Sequence, residues 1–191
     1  MAYVSLEEFK QYRSITSSVD DALLDELLSN AQGYIESWCR RKFEASTDTT
    51  RYLEISRHAQ GRTLRLDRDL CAITEVVNGD GTVLAASQYV PEPRNALVDG
   101  TPIYALTLRA NAGVSWGSSD SDVAITGRWA YSIMPDSVIR QCTLLLASYL
   151  YEQRQNVKDL GRSFIADAGT LLVTSLPRDL FEFLSRRRRV L

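Results

Sequence analysis

The sequence is poor in the residues that build metal and catalytic centres: it has one histidine, His58, and three cysteines, Cys39, Cys71 and Cys142. A zinc site needs several such ligands at short spacings along the chain, and these four residues are too widely separated to match that pattern. His58 lies in a polar segment with no nucleophile placed beside it by any motif, so a solvated loop histidine is favoured over a general base. Cys39 and Cys142 lie on apolar helix faces, which favours buried thiols in a reducing compartment over disulfides.

Long apolar runs are also missing, and the chain opens on polar residues rather than on the apolar stretch of a signal peptide. We therefore expect no membrane partner. No glycine-rich segment matches the dinucleotide or phosphate-loop fingerprints, and Asp120-Ser121-Asp122 fits a solvated turn better than a weak cation site. The sequence predicts no enzyme, no cofactor and no metal.

Lysine is scarce, because 19 of the 22 basic residues are arginine. Arginine favours planar, bidentate contacts at interfaces. The net charge of −2 gives no global attraction to nucleic acid or to an anionic membrane. A chain of 191 residues with 45% hydrophobic and 24% charged residues fits one soluble domain, or a domain with a sizeable insertion.

Two helices are predicted at the start of the chain. Ser5-Leu6-Glu7-Glu8 is a capping box that opens a short helix ending at about Tyr12. Ser18 starts a longer helix, which ends near the cations Arg40-Arg41-Lys42. Its apolar residues recur at helical spacing and predict one core-facing stripe: Val19, Leu23, Leu24, Leu27, Leu28, Ala31, Tyr34, Ile35 and Trp38.

The middle of the chain changes to a period of two, which predicts a β-rich module. The expected strands are residues 51–55, 63–66, 73–77, 82–84, 88–90, 104–108 and 123–129. Asn78-Gly79-Asp80-Gly81 lies between two of these strands and predicts a tight hairpin turn.

A third long helix is predicted from Pro135, in its first turn, to Arg154. Its core face is apolar, but Leu144 and Tyr151 fall among polar residues on the opposite side. Such outward apolar residues indicate either a second partner surface or packing within the same chain, and the spacing does not separate the two.

The last part of the chain predicts an arm and a short helix. Residues 157–175 are long and aperiodic for a connection inside a compact domain, and Ser175 caps a helix from Pro177 to about Arg187. We expect this arm to dock on a partner through apolar anchors and fork-shaped donors: Leu180, Phe181, Leu184, Arg186, Arg187, Arg188 and Arg189. Two alternatives are that the arm folds back on its own chain and that the arginines merely complete a helix C-terminus. A phosphate backbone is a weaker candidate for the arginines, because no aromatic residues interleave with them.

The predicted fold class is α+β: a small α-helical bundle with an inserted antiparallel β-module and an extended C-terminal arm ending in a short helix. The expected divisions are 1–50 for the first helices, 51–132 for the β-module, 133–156 for the helix completing the bundle, and 157–191 for the arm.

Four features occur together in a fixed order. They are an acidic helix ending near Ile35-Glu36-Ser37-Trp38-Cys39-Arg40-Arg41, a β-module with Val77-Asn78-Gly79-Asp80-Gly81 and Gln88-Tyr89, the Pro135–Arg154 helix, and Leu176-Pro177 before an arginine-ended helix. In this order, over nearly the whole chain, the sequence resembles the head–tail connector (adaptor) proteins of tailed bacteriophages, in particular longer members with a β-insertion.

The resemblance implies a homo-oligomeric ring, usually of twelve copies, that binds beneath the portal protein. The ring offers a docking surface to the next neck component, a stopper or tail-completion protein, and genomic DNA passes through its lumen without sequence specificity. Its expected location is the virion neck, after assembly in the host cytoplasm. On this hypothesis Leu144 and Tyr151 contact a neighbouring subunit, and the C-terminal arm contacts the portal.

Three other classes remain as alternatives. One is a tail-completion or stopper protein of the same neck, and another is a nucleic-acid-binding module. The third is a small enzyme with an unrecognised site, which the missing catalytic motifs disfavour.

Overall fold

The computed structural model describes residues 3–117, 121–159 and 178–189. Helices near both ends of the chain flank a strand-rich middle, which confirms the predicted α+β class. In chain order the elements are α1 (Leu6–Arg13), α2 (Asp21–Cys39), β1 (Thr49–Glu54), α3 (Ile55–His58), β2 (Ala59–Gln60), β3 (Thr63–Leu70), β4 (Ala72–Val77), β5 (Tyr89–Glu92), α4 (Ala96–Asp99), β6 (Ile103–Leu108), β7 (Asp122–Arg128), α5 (Ser137–Asp159) and α6 (Arg178–Ser185). The chain divides into a helical unit, Met1–Arg40 with Asp136–Leu191, and a β unit, Arg41–Pro135.

The first helix of the helical unit begins with the predicted capping box. The Ser5 side chain accepts from the backbone N–H of Glu8 at 3.3 Å, and the Glu8 carboxylate accepts from the backbone N–H of Ser5 at 2.9 Å. The start of α2 differs from the prediction: it begins at Asp21 rather than at Ser18, and Val19 is 89% exposed. Val19 therefore lies before the helix, where it cannot follow the helical stripe.

A single apolar face of α2 supplies its contribution to the helical core: Leu24, Leu27, Leu28, Ala31, Ile35 and Cys39. At the start of α5, the Asp136 carboxylate accepts from the backbone N–H of Ile139 at 2.9 Å, so Asp136 caps the helix and Pro135 precedes it. The helices α2 and α5 contact each other, and both also contact α1 and α6. No helix in the described part of the chain is long and apolar enough to cross a membrane.

Two antiparallel sheets form the β unit, with strand orders β1-β7-β4 and β2-β3-β6-β5. Inward positions alternate along the strands, as a half-buried sheet requires. Both sheets contribute side chains to one hydrophobic core: Leu53, Leu64, Leu66, Leu70, Val76, Ile103, Leu106, Leu108, Val123 and Ile125. Trp116, between β6 and β7, joins the same core.

The Asn78–Gly81 turn is confirmed. The backbone N–H of Asn78 donates to the Thr82 carbonyl at 2.8 Å, and the N–H of Gly81 donates to the Asn78 carbonyl at 2.9 Å. The strand predicted at 82–84 is reduced to one bridge between Val83 and Val77. The short helices α3 and α4 were not predicted, and each fills a connection next to a strand.

Arg41 corrects the expectation that it serves as a cation at the end of α2. It belongs to the β unit, where its Nε lies 3.5 Å from Oδ2 of Asp69 and its guanidinium lies 5.1 Å from the centroid of the Tyr131 ring. The two side chains of the ion pair are only 8% and 2% exposed. Removing one partner of such a pair leaves an uncompensated buried charge, at a typical cost of about 3–5 kcal/mol.

Candidate interaction surfaces

The last helix, α6, packs against α2 and α5 of its own chain. Leu180 and Leu184 are 2% and 1% exposed. The Cys39 thiol lies 3.6 Å from the carbonyl oxygen of Leu184, and the backbone N–H of Arg189 donates to the Cys39 carbonyl at 2.9 Å. The two leucines expected to be presented to the portal thus lie in the interior of the helical unit, because spacing at i and i+4 also suits packing against α2 and α5. For α6, this arrangement corresponds to the alternative in which the arm folds back on its own chain.

The Phe181 side chain and residues 160–177, most of the predicted arm, lie outside the described residues.

The four terminal arginines do not form a single donor cluster. Arg186 is within 3.2 Å of Glu182 one turn earlier, and both side chains are more than 70% exposed. Arg187 pairs with Asp136 at 2.6 Å. Two of the arginines are therefore engaged by carboxylates of their own chain.

The other two arginines contact α2. The guanidinium of Arg188 lies 5.5 Å from the centroid of the Trp38 ring, and the Arg189 backbone holds the end of α2 as described above. Arg188 remains largely exposed, so its charge is available to a partner. As portal contacts, all four arginines stay a prediction.

The outward face of α5 carries Leu144 and Tyr151, both half-buried. The buried centre of the helix is formed by Ile139, Cys142, Thr143, Leu146, Ala147, Ser148 and Leu150. Leu145 is 39% exposed, because the buried face of the helix is centred away from it. Adjacent apolar residues therefore reach solvent on this helix, and a subunit contact there stays a prediction.

Ion pairs tie α1 to the polar side of α5. Arg140 pairs with Glu8, and Arg13 pairs with Glu152 at 2.7 Å. The backbone hydrogen bond from Ser5, with the Ser5 hydroxyl and Arg140, holds the pKa of the Glu8 carboxyl below its ordinary value, although partial burial opposes the shift. Desolvation raises the pKa of the buried Cys142 thiol, which keeps it protonated near neutral pH.

The structure corrects the expectation of a loop histidine, because His58 is the last residue of α3. Its Nδ1 lies 3.1 Å from the carbonyl oxygen of Arg65, a contact that joins the end of α3 to β3. Within residues 3–117, 121–159 and 178–189, no group of three or more His, Cys, Asp or Glu side chains could hold a metal ion. Asp120 of the acidic turn lies outside those residues.

Several exposed apolar residues were missed by the sequence reasoning. Leu97 and Val98, in the short helix α4 of the β unit, are 58% and 88% exposed, and Phe183 on α6 is 54% exposed. Their signal in the sequence was weak, because α4 has only four residues and Phe183 lies directly before the buried Leu184. Such residues are candidate contacts in an assembly.

Comparison with known proteins identifies the fold but no family. No protein-family model and no curated protein matches the sequence. A chain from the neck of an empty gene transfer agent (GTA) particle, computed with C6 symmetry, superposes with a TM-score of 0.61, covering 99% of this chain and 92% of that chain at 19% identity. A chain from the virion of a native GTA particle has a TM-score of 0.58 with the same coverage and identity. A chain from the neck of a native GTA particle, computed with C12 symmetry, has a TM-score of 0.52, covering 91% of each chain at 18% identity.

Proposed function

We propose that this chain is a structural protein of the neck of a phage-like particle, where it forms a head–tail connector (adaptor) ring. The observation that carries the proposal is the fold shared along 99% of the chain with a chain from a GTA particle neck. The C6 and C12 symmetries of those neck structures support several copies around an axis. The order of motifs along the sequence supports the adaptor position separately.

The partners follow from that position. One face of the ring binds the portal protein, and the opposite face receives a stopper or tail-completion protein. Twelve copies surround the genomic DNA, and the ring resides in the virion neck. The net charge of −2 per chain, repeated around a ring, repels a polyanion on average, so DNA passes without being gripped.

Two surfaces of the helical unit are assigned to these contacts. The outward side of α5, with Leu144 and Tyr151, contacts the neighbouring subunit. The exposed side of α6, with Phe183 and Arg186, contacts the portal. Both assignments rest on apolar or cationic side chains that the helical unit leaves at least partly exposed.

Electron microscopy of the purified chain mixed with its own portal tests the proposal. We expect a ring stacked coaxially on the portal, with a subunit number given by the mass of the complex. A chain that fails to bind the portal contradicts the proposal. A chain that binds only after another neck protein has been added occupies the stopper position instead. Tight binding of the purified chain to DNA at physiological salt would move it to the nucleic-acid-binding class.

A further inference from the structure

An arginine-lined groove lies over β5 and β6 of the β unit. It has a volume of about 420 Å³, and its lining includes Arg62, Arg94 and Arg109. All three side chains are exposed. We call this feature the arginine groove.

The backbone fixes where these arginines stand. The carbonyl oxygen of Arg62 accepts from the indole N–H of Trp116 at 2.9 Å, and the backbone N–H of Arg109 donates to the Gln88 carbonyl at 2.8 Å. Arg94 stands two residues beyond the end of β5. The fixed backbone keeps the three side chains on one part of the β unit, so binding has to order only their rotamers.

The groove has an excess of positive charge. None of the ion pairs found among the described residues involves Arg62, Arg94 or Arg109. Glu92 is the one carboxylate in the lining, and its side chain accepts from the Thr107 hydroxyl. Three guanidinium groups against one carboxylate leave two positive charges without a counterion from the described part of the chain.

A matching negative surface lies on α2 of the helical unit. One face of this helix is exposed along its length and consists of Ala22, Asp25, Glu26, Ser29, Asn30 and Gly33. Asp25 and Glu26 take part in none of the ion pairs found among the described residues. The other side chains are short or absent, and a Cβ placed at Gly33 would meet nothing within 4 Å. We call this the acidic face of α2.

We propose that the arginine groove of one copy binds the acidic face of α2 on the neighbouring copy. The inference rests on the proposed function, because a contact between two different surfaces of identical chains repeats around a closed ring. The two uncompensated positive charges of the groove meet the two carboxylates, and the guanidinium fork matches a carboxylate in geometry. Duplex DNA is a poorer occupant, because Glu92 lies in the groove and would face the phosphates.

A charge-swap experiment on the full-length chain tests the contact. Arg94→Glu combined with Arg109→Glu should reduce the fraction of portals that carry a complete ring about tenfold or more, since like charges then face each other. Arg57→Glu combined with Arg68→Glu makes the same charge change at exposed arginines of the β unit outside the groove, and should assemble like the wild type. Asp25→Arg with Glu26→Arg should impair assembly from the other side. Combining the groove and α2 changes in one chain should restore rings.

Each outcome decides the matter. Loss of ring formation in both double variants, with recovery in the combined variant, supports the contact. Normal rings from the groove variant overturn it while leaving the proposed function intact, whereas failure of the wild type to form rings overturns the proposed function. If the groove variant forms fewer rings and the combined variant does not restore them, α2 is not the occupant of the groove.

A DNA-binding measurement tests the other occupant. If the wild type retains a labelled DNA duplex and the groove variant does not, the groove binds nucleic acid. Should the groove variant fail to fold by circular dichroism, the α2 variant still tests the contact, because its substitutions lie on a fully exposed helix face.

Discussion

At the scale of single residues, Glu8 joins the start of α1 to α5. The Ser5 backbone hydrogen bond is the main cause of its lowered pKa, and Arg140 adds to it. A carboxyl whose folded pKa is lowered contributes stability above its unfolded pKa, and this contribution is lost as the pH falls through the lowered value. The Glu8 side chain is 44% exposed, so solvent screening keeps the contribution modest.

We therefore predict a pH-dependent effect of Glu8→Gln. The variant should be less stable than the wild type near neutral pH, and the difference in the free energy of unfolding should close as the pH falls through the lowered pKa of Glu8. Urea denaturation at a series of pH values measures this difference. Glu7→Gln, at the exposed neighbouring position, removes the same charge from the first turn of α1 and is the control. A Glu8→Gln deficit that is constant with pH would contradict the assignment.

Two glycines make opposite predictions. A Cβ on Gly127 in β7 would collide with the carbonyl oxygen of Ala72, so Gly127→Ala should destabilise the β unit by about 1–3 kcal/mol or more. Gly33 in the middle of α2 has open space around it, so Gly33→Ala should stabilise the helical unit by about 0.5–1 kcal/mol. Chemical denaturation of each variant against the wild type provides the comparison. If both substitutions changed the free energy of unfolding by the same amount, the collision with the Ala72 carbonyl oxygen would not determine the effect of Gly127→Ala.

At the scale of secondary-structure elements, the features that were predicted correctly are those that short-range hydrogen bonds determine. The capping box at Ser5 and the turn at Asn78–Gly81 were found because short-range hydrogen bonds determine them. The predicted start of α2 was wrong, because Ser18, Asp20 and Asp21 are all residue types that can cap a helix. The local sequence does not choose between them, and Val19 is found exposed to solvent before the helix begins. The short helices α3 and α4 carry too few residues for a periodic signal.

The interaction surfaces were less predictable, because they depend on tertiary packing rather than on local hydrogen bonds. Leu180 and Leu184 have the spacing of a groove-binding helix, but the same spacing suits packing against α2 and α5. The arginine groove was invisible in the sequence, because Arg62, Arg94 and Arg109 are brought together only by the pairing of β5, β6 and β3. Periodicity identifies an apolar face but not the element that covers it.

The outward side of α5 gives a prediction at this scale. Leu144→Lys places a charge in the proposed subunit contact, where desolvation without a partner is costly, and should sharply reduce ring formation on the portal. Gln11→Lys adds the same side chain at an exposed position of α1, outside the outward side of α5, and serves as the matched control. Ring counts by electron microscopy compare the two, with circular dichroism to confirm folding. Normal assembly of a folded Leu144→Lys variant would exclude this contact.

At the scale of the whole molecule, the chain divides into two units, and the described residues include no group of three or more His, Cys, Asp or Glu that could hold a metal ion. What the chain offers partners is surface: arginines, an acidic helix face, and apolar residues left in solvent. These surfaces are the ones that the proposed assembly role would use. For the portal contact, the decisive question is whether α6 remains packed against α2 and α5 when the protein binds the portal.

Truncation does not answer that question cleanly. Deleting residues 176–191 would remove the proposed portal contact, but it would also remove Leu180 and Leu184 from the helical interior. Burial of a leucine is typically worth about 2–5 kcal/mol when it is replaced by alanine, so the truncation changes folding and docking together. Substitutions on the exposed side of α6 separate the two effects.

The last prediction uses that exposed side. Phe183→Asp combined with Arg186→Glu should weaken portal binding about tenfold or more by placing like charges and a desolvated carboxylate in the contact. Because both side chains are more than half exposed, the free energy of unfolding should change little. Gln11→Glu, at an exposed position of α1 outside the proposed contact surfaces, controls for added negative charge on the helical unit. Thiol labelling of Cys39, which is fully buried beside Leu184, reports the state of α6 in the same samples. If α6 docks through its exposed side, Cys39 stays protected when the portal is added. If the portal instead draws α6 away to reach Leu180 and Leu184, Cys39 becomes reactive on portal binding and the Phe183 variant binds almost normally.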